Sequence, residues 1–216
     1  MFAAIYEGIL LGLFLAFSIG PSFFALINTG ISYGFRAGAT LAIGIFFSDL
    51  FFILVTVSLI QLGMADLLTE PRHQAFIGVI GGIVLIVYGA FHFVNRQVKT
   101  DDENVVEIKS PRAYLLFMKG FFLNMFNPFV WIFWIATATA ISTEYQFKVF
   151  KVIIFFASVL AMVISTDLLK TFVAHKIKAV LNVRILTLVR HISGGLLILF
   201  GLYLIYKVFF LHGKTI

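Results

Sequence analysis

An all-α polytopic membrane protein is the fold class this sequence predicts: six transmembrane helices in two inverted three-helix halves, with the first and fourth helices broken. Composition is the first observation behind it. Of 216 residues, 61% are hydrophobic and 12% charged, against about 25% charged in a soluble domain, and the mean hydropathy is +1.06. The second is the spacing of charge: after Glu7 the next ionised side chain is Arg36, and Asp49 is the only one in residues 37–65. Stretches of that length exceed the about 20 apolar residues a helix needs to cross a bilayer. The third is that one proline interrupts the first apolar stretch and another the fourth.

Taken in order, the spans are expected at residues 2–28, 37–62, 74–95, 114–141, 147–169 and 185–211. The N-terminus has no basic region or small-residue cleavage site and reads as a retained first helix. Residues 29–36, with Gly30, Ser32, Tyr33 and Gly34, form a turn; 63–73 carries Asp66, Glu70 and Pro71; 142–146 is minimal. Lys151, Asp167, His191 and Lys207 lie near the ends of the last two spans, where long basic side chains reach the interface. The exception among the connections is RQVKTDDENVVEIKSPR, 96–112, polar enough to lie outside the bilayer. It divides the chain into a first half (1–95), a cytoplasmic linker (96–112) and a second half (113–216). With 27 Phe and 17 Gly, lipid-facing aromatics and close helix contacts through small residues are expected.

Orientation follows from the Lys and Arg bias of loops. If the first helix starts outside, the inner side receives Arg36, Arg96, Lys99, Lys109, Arg112, Lys119, Lys170, Lys176, Lys178, Arg184 and Arg190, leaving Arg72, Lys148, Lys151, Lys207 and Lys214 outside. Both termini are therefore expected on the non-cytoplasmic side, and the second half enters the membrane from the opposite face to the first. The formal charge of +6 is read as attraction to anionic lipid and control of orientation, with no nucleic acid partner. No Cys is present, which removes disulfides, thiolate nucleophiles and thiolate metal sites.

The prolines carry the functional reading. Gly20-Pro21 and Asn127-Pro128 lie well inside the first and fourth spans, and a proline there lacks the N–H and clashes with the preceding turn, so both helices should break. Backbone freed at that depth survives only if it lines a cavity or is shielded by protein. The second half-helices would offer the N–H groups of Ser22, Phe23 and Phe24, and of Phe129, Val130 and Trp131, with a positive dipole end suited to a carboxylate. Matched Gly/Pro interruptions in two halves point to a transporter site, although a kink also serves packing alone.

Asp49 in GIFFSDLFF is an acid near the centre of a span, costly there and a functional candidate by default. It could carry a proton or hold a substrate ammonium, two mutually exclusive roles that suit an antiporter; a helix-to-helix hydrogen bond is the structural alternative. Asp167 in MVISTDLLK lies near the inner boundary with Lys170 as a possible i,i+3 partner. Polar neighbours are Ser18, Ser22, Asn28, Ser48, Asn124, Asn127, Thr137, Thr139, Ser165 and Thr166. Asn124 and Asn127 could bind a carboxylate or cap backbone freed by Pro128, and Trp131 and Trp134 would fill helix contacts. His73, His92, His175, His191 and His212 have no metal-ligand spacing, no Ser/His/Asp set can be placed, and no phosphate-binding Gly-rich loop occurs. Neither enzymatic chemistry nor bound ATP is indicated, no cofactor is expected, and gradient coupling remains.

Gly20-Pro21, Gly34-Phe35-Arg36-Ala37-Gly38, Asp49, Asn124, Asn127-Pro128, and Arg190 with Gly194, Gly195 and Gly201 together resemble the lysine-exporter and threonine-efflux family of bacterial translocators. The resemblance implies a small inner-membrane exporter of amino acids, usually basic, neutral or hydroxylated ones, driven by protons or membrane potential, that could act as a homodimer. The chain departs from the family at Phe129, where Lys often follows Asn-Pro, and at Ser48, where Gly often precedes the acid. The expected substrate-binding or coupling residues are Gly20, Pro21, Ser22, Ser48, Asp49, Asn124, Asn127, Pro128 and Asp167, with Arg36 as an inner-face anchor or gate contact. Partners would be an amino acid, protons and membrane lipid. Two rival readings stay open: an exporter of another small solute or a divalent metal ion, and a non-transporting scaffold or accessory subunit.

Overall fold

The computed structural model describes residues 1–17, 20–64, 71–91, 110–146, 148–178, 183–207 and 210. Ser18, Asp66, Glu70, His92, His212, Lys214 and the linker up to residue 109 lie outside the described residues, as do the ends of the third span and most of 208–211. The described chain is all-α, with eight helices: α1 Phe2–Ala16, α2 Pro21–Tyr33, α3 Phe35–Gln61, α4 Pro71–Phe91, α5 Ala113–Met125, α6 Pro128–Glu144, α7 Val149–Lys178 and α8 Val183–Lys207. The helices α3 and α7 are each long and apolar enough to cross a bilayer alone. Two further spans are possible if each bent pair counts as one: α1 with α2 turn by 70° and α5 with α6 by 66°.

Both bends fall where proline was expected to put them. Pro21 and Pro128 each stand in the first turn of a new helix, where the missing N–H has no intrahelical acceptor to lose and the fixed φ suits the helix. The expected turn at 29–36 shrinks to one residue. Thr29, Gly30 and Ile31 are buried, and a Cβ on Gly30 would lie 3.0 Å from both the Ala174 Cβ and the Thr171 carbonyl, so packing on α7 keeps α2 helical to Tyr33. Gly34 then turns the chain with φ +87, a left-handed value that favours glycine. At the far end of α3, Gly63 at φ +71 closes a Schellman motif, Met64 N–H to the Leu59 carbonyl at 2.9 Å and Gly63 N–H to that of Ile60 at 3.1 Å.

The fifth span is longer than expected. Hydropathy ends it at residue 169, yet α7 continues to Lys178, because Thr171 and Ala174 are buried against α2 and α3 while Lys176 is exposed.

Helix pairing is set by small residues. Gly44 on α3 and Gly120 on α5 face each other so closely that a Cβ on either would strike the backbone of its partner, Phe117 or Leu41. Gly8 of α1 sits the same way against α7, where a Cβ would lie 2.5 Å from the Phe155 carbonyl. The helices α4 and α8 pack through Gly82 and Gly201, and α3 and α7 meet between these pairs. The Tyr145 hydroxyl donates to the Glu7 carboxylate, tying the start of α1 to the end of α6.

The outside of the bundle is apolar. On α3, Ile43, Phe47, Phe51 and Leu54 form an exposed stripe, whereas Ser48, Asp49 and Phe52 on the other face are buried. This is the reverse of a water-soluble helix and fits a lipid surround. Inside, Trp134, Phe52, Val152, Phe155, Phe156 and Val159 form one cluster; Leu26, Leu41, Ala42, Ile45, Leu123 and Leu197 belong to another.

Candidate functional site

Between these clusters, where both broken helices turn, lies a cavity of about 550 Å³, within the roughly 300–1,000 Å³ of small-molecule sites. Its wall includes Gly20, Pro21, Ser22, Asp49, Asn124, Asn127 and Asp167, residues more than a hundred positions apart in sequence. Ser48 and Arg36 are not part of it. Ser48 is fully buried with its hydroxyl unpaired among the described residues. Arg36 is exposed in the first turn of α3. Pro128 opens α6 beside Asn127.

Asp49 is 6% exposed and anchors a chain of hydrogen bonds. Asn124 Nδ2 donates to its Oδ1 at 2.7 Å and Trp134 Nε1 to the same oxygen at 2.9 Å. Ser22 Oγ in turn donates to Asn124 Oδ1 at 3.1 Å. The chain therefore links α2, α3, α5 and α6. Among the described residues no donor meets Oδ2 of Asp49, and the residue forms part of the cavity wall. The acid is thus held on one side and open on the other.

The two half-helix ends differ, and of the two roles left open for Asn127 the one found is the cap. At α6, Asn127 Oδ1 accepts from Phe129 N–H at 3.1 Å, and the Asn127 carbonyl accepts from Val130 at 3.0 Å and Trp131 at 3.4 Å. Asn127 is therefore the cap of the break. Trp131 closes the other side, donating through Nε1 to the Met125 carbonyl at 2.7 Å, the last residue of α5. At α2 no side chain caps the first turn. Phe24 N–H bonds the Gly20 carbonyl at 3.2 Å, so Ser22 and Phe23 keep the donors that helix geometry leaves without an intrahelical acceptor.

Asp167 is buried, lies on the cavity wall and pairs with Lys170 at 2.8 Å. Lys170 also borders the cavity, with its ammonium 5.8 Å from the centre of the Phe23 ring in the first turn of α2. The rest of the wall is apolar, including Phe14, Leu26, Ile45, Phe129, Phe133 and Phe200. Among the described residues no three His, Cys, Asp or Glu side chains gather as a metal set. Asn28, Thr139, Ser165 and Thr166 make bonds within their own helices and stand off the cavity wall.

Sequence reasoning missed Trp134 as a partner of Asp49. The signal was present: Trp134 lies six residues after Pro128, so its face depends on where the second half-helix starts. Lys170 was seen only as a neighbour of Asp167, because its helix was expected to have ended.

The family model described as LysE type translocator matches residues 13–208. The chain is also similar to the Bacillus subtilis (strain 168) protein named "Putative amino acid efflux protein YcgF", 25% identical over 201 residues that cover 92% of this chain and 93% of that protein. No solved structure matches the chain.

Proposed function

The chain belongs to the LysE type translocator family, a family of membrane transporters, and from that premise we propose that it is a secondary transporter exporting amino acids from the cytoplasm in exchange for entering protons. The observation that carries the reading is Asp49: a buried carboxylate fixed through one oxygen by Asn124 and Trp134, with the other oxygen on a cavity between two broken helices. That oxygen has room for either a substrate ammonium or a proton, and one excludes the other. The substrate carboxylate goes to the uncapped start of α2, whose dipole favours an anion. Alternating access then exposes the cavity to each side in turn.

In this reading α1 with α2 and α5 with α6 each make one interrupted span, giving six with α3, α4, α7 and α8. A two-fold relation of the halves is supported by the principal helix pairings, and three spans in each half would make it an inverted one. The pair α1 and α7 answers to α5 and α3, α2 and α7 to α6 and α3, and α3 with α7 and α4 with α8 each answer to themselves. The Lys and Arg count supports both termini outside in a bacterial inner membrane.

The test is efflux from proteoliposomes loaded with a panel of radiolabelled amino acids, with and without an imposed pH gradient. Asp49→Asn should abolish gradient-dependent efflux while the protein still inserts and purifies normally. Wild-type-like coupled efflux by that variant would defeat the role of Asp49, and efflux of divalent metal alone would replace the substrate class.

A further inference from the structure

The proposal above leaves Lys170 without a role, although its ammonium is the one cationic group described on the cavity wall. Its placement is specific. One of its three donors is spent on Asp167 at 2.8 Å, which fixes the side chain within its own helix turn. Its head lies over Phe23, 5.8 Å from the ring centre, beside the first turn of α2, where among the described residues no side chain caps the helix and Ser22 and Phe23 have no backbone acceptor. An ammonium with unused donors and an uncapped helix start thus meet at one end of the cavity. At another point on the wall is the open oxygen of Asp49. An acid and a base in one small chamber match the two ends of a zwitterion.

Resting on the export reading, we infer that Lys170 is the carboxylate ligand of the site, held in place by Asp167, and that the site selects α-amino acids with an intact carboxylate and an apolar side chain. Charge complementarity carries the first part: Lys170 for the carboxylate, Asp49 for the ammonium. The second part follows by accounting for the polar groups. Asn124 is engaged with Asp49 and Ser22, Asn127 with Phe129, and Asp167 with Lys170. What remains for a substrate side chain is the wall of Phe14, Leu26, Phe129, Phe133 and Phe200, and the one other acid described on it, Asp167, already holds a cation in Lys170. Asp167 is a positioning residue and Lys170 a binding one.

The experiment pairs a change in the protein with the same change in the ligand. Purified full-length protein in detergent is titrated calorimetrically with L-leucine, with isoamylamine, which is leucine without its carboxylate, and with L-lysine. Wild-type protein should bind leucine about tenfold or more tighter than isoamylamine, the effect of a charge-assisted bond, and tighter than lysine. Lys170→Met should bring leucine down to the level of isoamylamine while leaving isoamylamine itself within about twofold. Lys170→Arg should keep the preference for leucine. Should the methionine variant not fold, Lys170→Gln carries the same comparison. A variant that weakens both ligands equally, or a wild type indifferent to the carboxylate, overturns the assignment of Lys170; tighter binding of lysine overturns the apolar side-chain class. These outcomes differ from failure of the export reading, in which wild-type vesicles release no amino acid at all.

Discussion

The Trp134 bond to Asp49 offers a quantitative test of how the acid is held. Trp134 is 2% exposed, its ring is edge-on to Phe133 at 5.0 Å and to Phe156 at 6.0 Å, and its Nε1 donates to Asp49 Oδ1 at 2.9 Å. Trp134→Phe keeps an aromatic ring in this packing and removes only the donor, at the cost of a small gap. A hydrogen bond to a charged group is worth about 1.5–3 kcal/mol in soluble proteins, while measured interhelical bonds in a membrane protein average about 0.6 and reach about 1.7 kcal/mol. With this geometry and burial, about 1–2 kcal/mol is expected. The gap contaminates the single variant, so the bond is isolated by a double-mutant cycle with Asp49→Leu, which has similar size and no acceptor. Reversible unfolding in mixed micelles measures all four proteins. A coupling energy of about 1–2 kcal/mol is expected; additivity within about 0.5 kcal/mol would refute the claim that Trp134 holds the carboxylate.

Two further outcomes are expected. Gly120→Ala puts a Cβ into the Leu41 backbone and should cost about 1–3 kcal/mol of stability as an overpacking change. Gly20→Ala meets nothing within 4 Å on extended backbone at φ −151 and should change stability by less than about 0.5 kcal/mol; equal losses in thermal denaturation would contradict the assigned seam. Asn127→Ala removes the cap on α6 and should cost about 1 kcal/mol and speed hydrogen exchange at the Phe129 amide, whereas unchanged protection there would show that the side chain is not the cap.

Much of the architecture was legible because its causes are local. Prolines at 21 and 128 dictate breaks whatever surrounds them, and long uncharged runs dictate helices long enough for a bilayer. Asp49 announced itself as an acid where acids are expensive. What was not legible depends on packing between distant segments. Residues 29–33 carry turn-forming types, yet burial of Gly30 and Ile31 keeps them helical. Hydropathy sees Lys170, Lys176 and Lys178 as an end, but α7 runs through them, which keeps Lys170 on the helix that carries Asp167. The difference between the two breaks was half legible: the amide of Asn127, absent from the Gly20 position, was seen to suit either a ligand or a cap, and only its bond to Phe129 N–H decides for the cap.

The seam between α1 and α7 has a consequence for biosynthesis. Gly8 and Gly12 sit against Phe155, Val159 and Met162, so α1 is sealed by a helix that is made only after α2 to α6. Until then its glycine face must be sheltered by lipid, by the insertion machinery or by a provisional neighbour. The other half has no such wait, since α5 finds α3 already in the bilayer. Assembly is therefore lopsided in time even where the finished packing is paired, and a chain stopped before α7 would leave α1 without a permanent home.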